Sequence, residues 1–83
     1  MDQPTYVQGI ETRKRIVAFV KAFIIENKYS PSIAEIGAGI GLRSKGAVGR
    51  QLNILKENGE INFVQDHPRT ITLPDLKVVS VDG

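Results

Sequence analysis

The spacing of the apolar residues changes once along this chain, at Gly59, and that change limits the fold more than any other feature. From Thr12 to Asn58 they recur every three or four positions, the period of a helix with one buried face. From Ile61 they recur every second position, the period of a half-buried strand. A chain patterned this way packs helices first and closes with a hairpin.

Between Thr12 and Asn27, the residues Ile16, Val20, Phe23 and Ile24 fall on one helical face, with Val17 beside them. Lys28-Tyr29-Ser30-Pro31 breaks that pattern, and Tyr29 is expected to pack as an apolar plug. Ser32-Ile33-Ala34-Glu35 then has the form of a capping box, in which Ser32 and Glu35 each satisfy an unpaired backbone N–H. The helix it opens is short, with Ile33 and Ile36 facing inward. Gly37, Gly39 and Gly41 favour a prompt ending, and Leu42 supplies an apolar plug. Ser44 is a good N-cap for a third helix over Lys45 to Asn58, with Val48, Leu52 and Leu55 buried and Gly59 as its C′ residue.

After the third helix, Ile61, Phe63 and Gln65 alternate with Asn62, Val64 and Asp66, and Thr70-Ile71-Thr72-Leu73 alternates again. Asp66-His67-Pro68-Arg69 between them has turn chemistry. Two helices joined by a tight glycine-containing turn are a helix-turn-helix unit. The expected fold is therefore mainly α with a small β-hairpin (α+β): a winged helix-turn-helix of three helices and a two-stranded wing. Residues 1–10 read as a flexible N-terminal arm, 11–73 as the winged helix-turn-helix domain, and 74–83 as a C-terminal tail or linker containing the β-prone stretch Leu76 to Val81.

Composition removes several function classes. Eighty-three residues make one domain, with no room for a deep substrate cleft beside its core. Without cysteine there are no disulfides or thiolate–metal sites, and one histidine builds no metal centre. No nucleophile–base pair or phosphate loop stands out, so neither catalysis nor a cofactor nor a small-molecule substrate is expected. The apolar run Ile16–Ile25 is interrupted by Lys21 and falls short of the ~20 residues that span a bilayer. Met1-Asp2-Gln3-Pro4 lacks the features of a signal peptide, so a cytoplasmic protein is expected.

Charge points to an anionic partner through its placement, the net value being only +2. Between Thr12 and Tyr29, Arg13, Lys14, Arg15, Lys21 and Lys28 stand against Glu26 alone. Arg13-Lys14-Arg15 lies in the first turn of the expected helix, where the helix dipole disfavours cations. Contact with an anion accounts for that placement, and so does simple solvation.

With Val48, Leu52 and Leu55 inward, the opposite face of the third helix carries Ser44, Lys45, Gly46, Ala47, Gly49, Arg50 and Asn53. Such a helix fits the major groove of duplex DNA, where each base pair shows a distinct edge. Ser44 and the first-turn N–H groups can hold a phosphate. Arg50 can bond guanine O6 and N7 together, and Asn53 or Gln51 can pair with adenine. Glycine inside a helix costs about 1 kcal/mol relative to alanine, so Gly46 and Gly49 imply a close approach, by DNA or by another helix. Arg43, Ser32, His67 and Arg69 are the candidate wing and phosphate contacts. His67 reads first as an exposed turn residue, with Pro68 stiffening the tip beside the permanently charged Arg69.

The ordered set Ser30-Pro31-Ser32-Ile33-Ala34-Glu35-Ile36-Gly37, then Gly41-Leu42-Arg43-Ser44, then Val48 to Gly59, resembles the N-terminal domain of the LexA family of bacterial SOS-response repressors. His67-Pro68-Arg69-Thr70-Ile71-Thr72-Leu73 is similar to that family's wing, and the likeness covers roughly Glu11 to Leu73. It implies a transcriptional repressor that binds the half-sites of a palindromic double-stranded operator as a homodimer on DNA. It also implies base reading at Ser44, Gly46, Ala47, Gly49 and Arg50. Gly46 and Gly49 offer no side chain where the best-known members have polar ones, and Arg50 is basic where some members are acidic. The family's self-cleaving domain, with its Ser–Lys dyad, has no expected place after Leu73, and Ala38-Gly39 is no cleavage site, so protease activity is not expected. The alternative from another class is a winged-helix module that binds protein, such as a mobile-element accessory or anti-repressor factor.

Overall fold

A computed structural model describes residues 5–74. Three helices follow one another: α1 (Thr5–Asn27), α2 (Ile33–Ile40) and α3 (Lys45–Glu57). α1 buries Ile16, Val20 and Ile24, with Val17 and Phe19 partly buried beside them. It starts earlier than the apolar pattern indicates, so residues 5–10, expected as an arm, are helical. Once nucleated, a helix gains a hydrogen bond with each added residue, and a single glycine such as Gly9 does not stop it. Residues 1–4 and the expected tail beyond Pro74 lie outside the described residues. Lys28, in the left-handed region at φ 68°, turns the chain out of α1.

α2 opens with the expected capping box: Glu35 N–H donates to Ser32 Oγ at 3.1 Å, and Ser32 N–H donates to Glu35 Oε1 at 2.9 Å. Gly41 alone of the three glycines ends it, at φ 78°, with Leu42 N–H returning to the Gly37 carbonyl at 2.8 Å. Gly37 and Gly39 lie inside the helix and serve packing. A Cβ on Gly39 would stand 2.1 Å from the Phe19 ring, and one on Gly37 would stand 2.6 Å from the Leu42 carbonyl oxygen. The inward pair is Ile36 and Ile40, four residues apart, whereas Ile33 is 40% exposed at the first turn, beyond the edge of the core.

Ser44 caps α3 by accepting from Ala47 N–H at 3.1 Å, and Val48, Leu52 and Leu55 are buried as the pattern requires. Gly59, at φ 78°, donates to the Lys56 carbonyl while Glu60 N–H donates to that of Leu55, which satisfies two end carbonyls of α3. Ile61, Ile71 and Leu73 close the core from the last segment.

That segment doubles back without becoming a two-stranded sheet. Asn62 and Thr72 exchange both backbone hydrogen bonds, at 2.9 and 2.8 Å, and form an isolated antiparallel bridge; no strand ladder occurs among the described residues. The next rung is taken by a side chain, since Val64 N–H donates to Thr70 Oγ1 at 2.9 Å, and the Thr70 hydroxyl donates to the His67 carbonyl. Asp66 and Arg69 both hold positive φ, at 64° and 59°, which bends the chain away from strand geometry. Burial still alternates as the sequence predicts, with Ile61 in and Asn62 out, then Ile71 in, Thr72 out and Leu73 in.

Candidate nucleic-acid interface

With its buried stripe fixed, α3 presents Gly46, Arg50 and Asn53 directly outward, and all three are exposed. Ser44, Lys45 and Arg43 are exposed at its start, while Ala47 and Gly49 are half-buried on its flanks. A Cβ on Gly49 would have nothing within 4 Å, and one on Gly46 would meet only Ser44 Oγ at 3.7 Å. Neither glycine packs on another helix, which removes that explanation for them. Among the described residues, Arg43, Lys45 and Arg50 have no acidic partner. The arrangement is a bare helical surface edged by three cations, with a serine hydroxyl whose proton can still be donated.

Gln51 does not belong to that surface. It is half-buried on the α1 side, where its Oε1 accepts from Arg13 Nη1 at 2.8 Å. Arg15 donates to the Ile40 carbonyl at 2.6 Å, at the C-terminal end of α2, where a cation suits the helix dipole. Two of the three first-turn cations expected in α1 therefore join helices, in mid-helix rather than at its start, and Lys14 is exposed.

The hairpin stands beside α3 and is tied to the helices at both arms. Lys56 Nζ donates to the Phe63 carbonyl at 2.8 Å and lies 4.6 Å from the Phe63 ring centroid. On the other arm, Arg69 donates to Glu35 through both terminal nitrogens, at 2.9 and 3.0 Å. Arg69 also donates to the Ser30 carbonyl at 3.1 Å and lies over the Tyr29 ring, 5.1 Å from its centroid. Tyr29, expected as an apolar plug, is 51% exposed, its ring T-shaped to that of Phe23 and lying under Arg69. The Arg69 hydrogen bonds, then that from Ser32 N–H, hold the Glu35 carboxyl below its ordinary value of 4.5. The same pairing raises the Arg69 guanidinium. His67 and Pro68 are exposed at the turn, and Ser32 is half-buried as a helix cap.

Between α3 and the hairpin runs an open groove of about 400 Å³, walled by Ile33, Leu52, Phe63 and Val64 with Lys45 and Gly49 at its α3 side. Sequence reasoning missed the two residues that position this site across the fold, Glu35 and Lys56. Glu35 is already explained locally by the capping box, so nothing in the sequence points to its second partner 34 residues away.

Residues 10–70 match the model of the LexA DNA binding domain family. The chain is 32% identical over 72 residues to a LexA repressor of Thermobifida fusca, covering 87% of this chain and 27% of that protein. It is 35% identical to a LexA repressor of a Nocardioides species, over 90% of this chain and 32% of the relative. With a LexA repressor of Carboxydothermus hydrogenoformans the identity is 37%, over 72% of this chain and 29% of the relative. The chain thus spans about 27% to 32% of the length of these relatives. Among the described residues, no helix is long and apolar enough to cross a membrane.

Proposed function

The chain belongs to the LexA DNA-binding domain family, and on that footing we propose that it is the operator-reading part of a transcriptional repressor, with α3 lying in the major groove of duplex DNA. The observation that carries this reading is the outer face of α3. It offers Arg50 and Asn53 with two open glycines between cations that have no acidic partner among the described residues.

Arg50 reads a guanine edge and Asn53 an adenine edge, while Gly46, Ala47 and Gly49 let the helix backbone come close to the bases. Arg43, Ser44 and Lys45 hold phosphates at the start of α3. The hairpin is the wing and lies along the adjacent backbone with His67 at its tip. Two copies on a palindrome place two reading helices on successive half-sites. A module that binds protein alone has no need of an unpaired cationic rim around bare helix backbone.

Selection of binding sites from random duplex DNA tests the proposal. A recurrent short motif recovered by the chain supports it, together with loss of the guanine preference at one position in Arg50→Ala. Recovery of no motif, with no binding of random duplex at low salt, refutes it, because phosphate contacts alone bind any sequence at low salt.

A further inference from the structure

We propose that Glu35 and Arg69 form a clamp that sets the hairpin's position relative to α3, making both positioning residues for DNA binding and neither a phosphate contact. The proposal rests on the reading of α3 as the DNA-binding helix. Among the described residues, the hairpin pairs with itself through a single backbone bridge, a weak hold on its direction. On the arm that carries Arg69, its direction is set by the fork of that residue, whose two nitrogens meet the two Glu35 oxygens in parallel.

Glu35 is the third residue of α2, and its Oε1 also accepts Ser32 N–H, so one carboxylate joins the helix start to the hairpin. The neighbouring contacts bear on the same point. Arg69 reaches the Ser30 carbonyl, and Ile71 N–H donates to the buried Ser30 Oγ at 3.0 Å. The backbone agrees: Arg69 sits at φ 59°, a conformation that a residue with a side chain keeps only where its surroundings impose it. A phosphate would have to take the guanidinium from Glu35, Ser30 and the Tyr29 face together.

The test uses the 83-residue chain and its Glu35→Gln, Arg69→Gln and Arg69→Lys variants. Their affinities for a fluorescent duplex carrying the selected motif are followed across a salt series. Glutamine still serves a capping box, so Glu35→Gln keeps α2 intact while removing the ion pair. Deleting an acid near bound DNA ordinarily strengthens binding by reducing repulsion; the clamp predicts the opposite, a loss of about fivefold. Arg69→Lys keeps the charge but not the fork, and loses affinity like Arg69→Gln, with the salt slope unchanged throughout. The double variant Glu35→Gln/Arg69→Gln loses no more than either single one. Amide exchange at Asn62 and Thr72, measured without DNA, speeds up in Glu35→Gln.

Equal or tighter binding by Glu35→Gln, unimpaired binding by Arg69→Lys, or a slope shallower by about one in Arg69→Gln would overturn the clamp. Unchanged exchange at Asn62 and Thr72 overturns it without reference to DNA. A wild-type chain that binds no duplex overturns the DNA reading, and with it the clamp's role there, even where exchange responds.

Discussion

Two glycines that look alike in the sequence face opposite surroundings. Gly39 lies under the Phe19 ring, and Gly49 has no protein atom within 4 Å of a would-be Cβ. Gly39→Ala forces an aromatic ring in the packed interface to move and lowers stability, while Gly49→Ala removes a helix-weakening residue at no steric cost. We predict that Gly49→Ala stabilises the chain by about 0.5–1 kcal/mol, visible as a higher melting temperature, and yet binds the selected duplex more weakly. Unchanged or tighter binding would mean that DNA does not approach α3 there. Arg50→Ala is predicted to cost about 1–3 kcal/mol on the selected site while relaxing one guanine position; an equal loss on random duplex would reduce Arg50 to a phosphate contact. Sequence alone distinguishes neither glycine, because helix propensity is a local property and the Phe19 ring arrives from another helix. Gln51 was open for the same reason, its partner Arg13 being 38 residues away.

The helices themselves were largely legible, because caps and periods are local. Ser32, Glu35 and Ser44 act at the helix starts where the sequence puts them, and Gly41 and Gly59 take left-handed turns at the ends. The start of α1 was not legible, since a helix can extend without an apolar stripe. The missing strand ladder was not legible either: alternation records which side chains are buried, whereas Thr70 replaces a backbone rung with its hydroxyl. Acid sensitivity belongs at this scale. The folded Glu35 carboxyl is held below 4.5, so the unfolded chain takes up that proton more readily. The stability it contributes is complete above the ordinary value and is lost as pH falls through the lowered one. Urea midpoints should drop on acidification below about pH 4.5, and Glu35→Gln should flatten part of that drop; identical pH profiles for the two chains would contradict this assignment.

At the scale of the molecule, one core joins all three helices to the last segment, so the apolar faces are used within the chain. The larger exposed apolar residues among those described, Ile10, Ile25, Tyr29, Ile33 and Val64, include no continuous helical stripe for a partner. The 83-residue chain is therefore predicted to sediment as a monomer at tens of micromolar. It should bind one half-site in the micromolar range, worth about −8 kcal/mol. Tying two copies together should tighten binding to a palindrome strongly, since the second contact becomes intramolecular. A stable dimer of the chain alone would contradict the monomer prediction.

The central claim, that the outer face of α3 meets DNA with the hairpin beside it, is tested most directly by mapping amide chemical shifts as an isotope-labelled chain is titrated with the selected duplex. The account predicts the largest changes from Ser44 to Asn53 and around Gln65 to His67. Changes concentrated on Lys14, Ala18 and Lys21 of α1, with α3 unmoved, would contradict it.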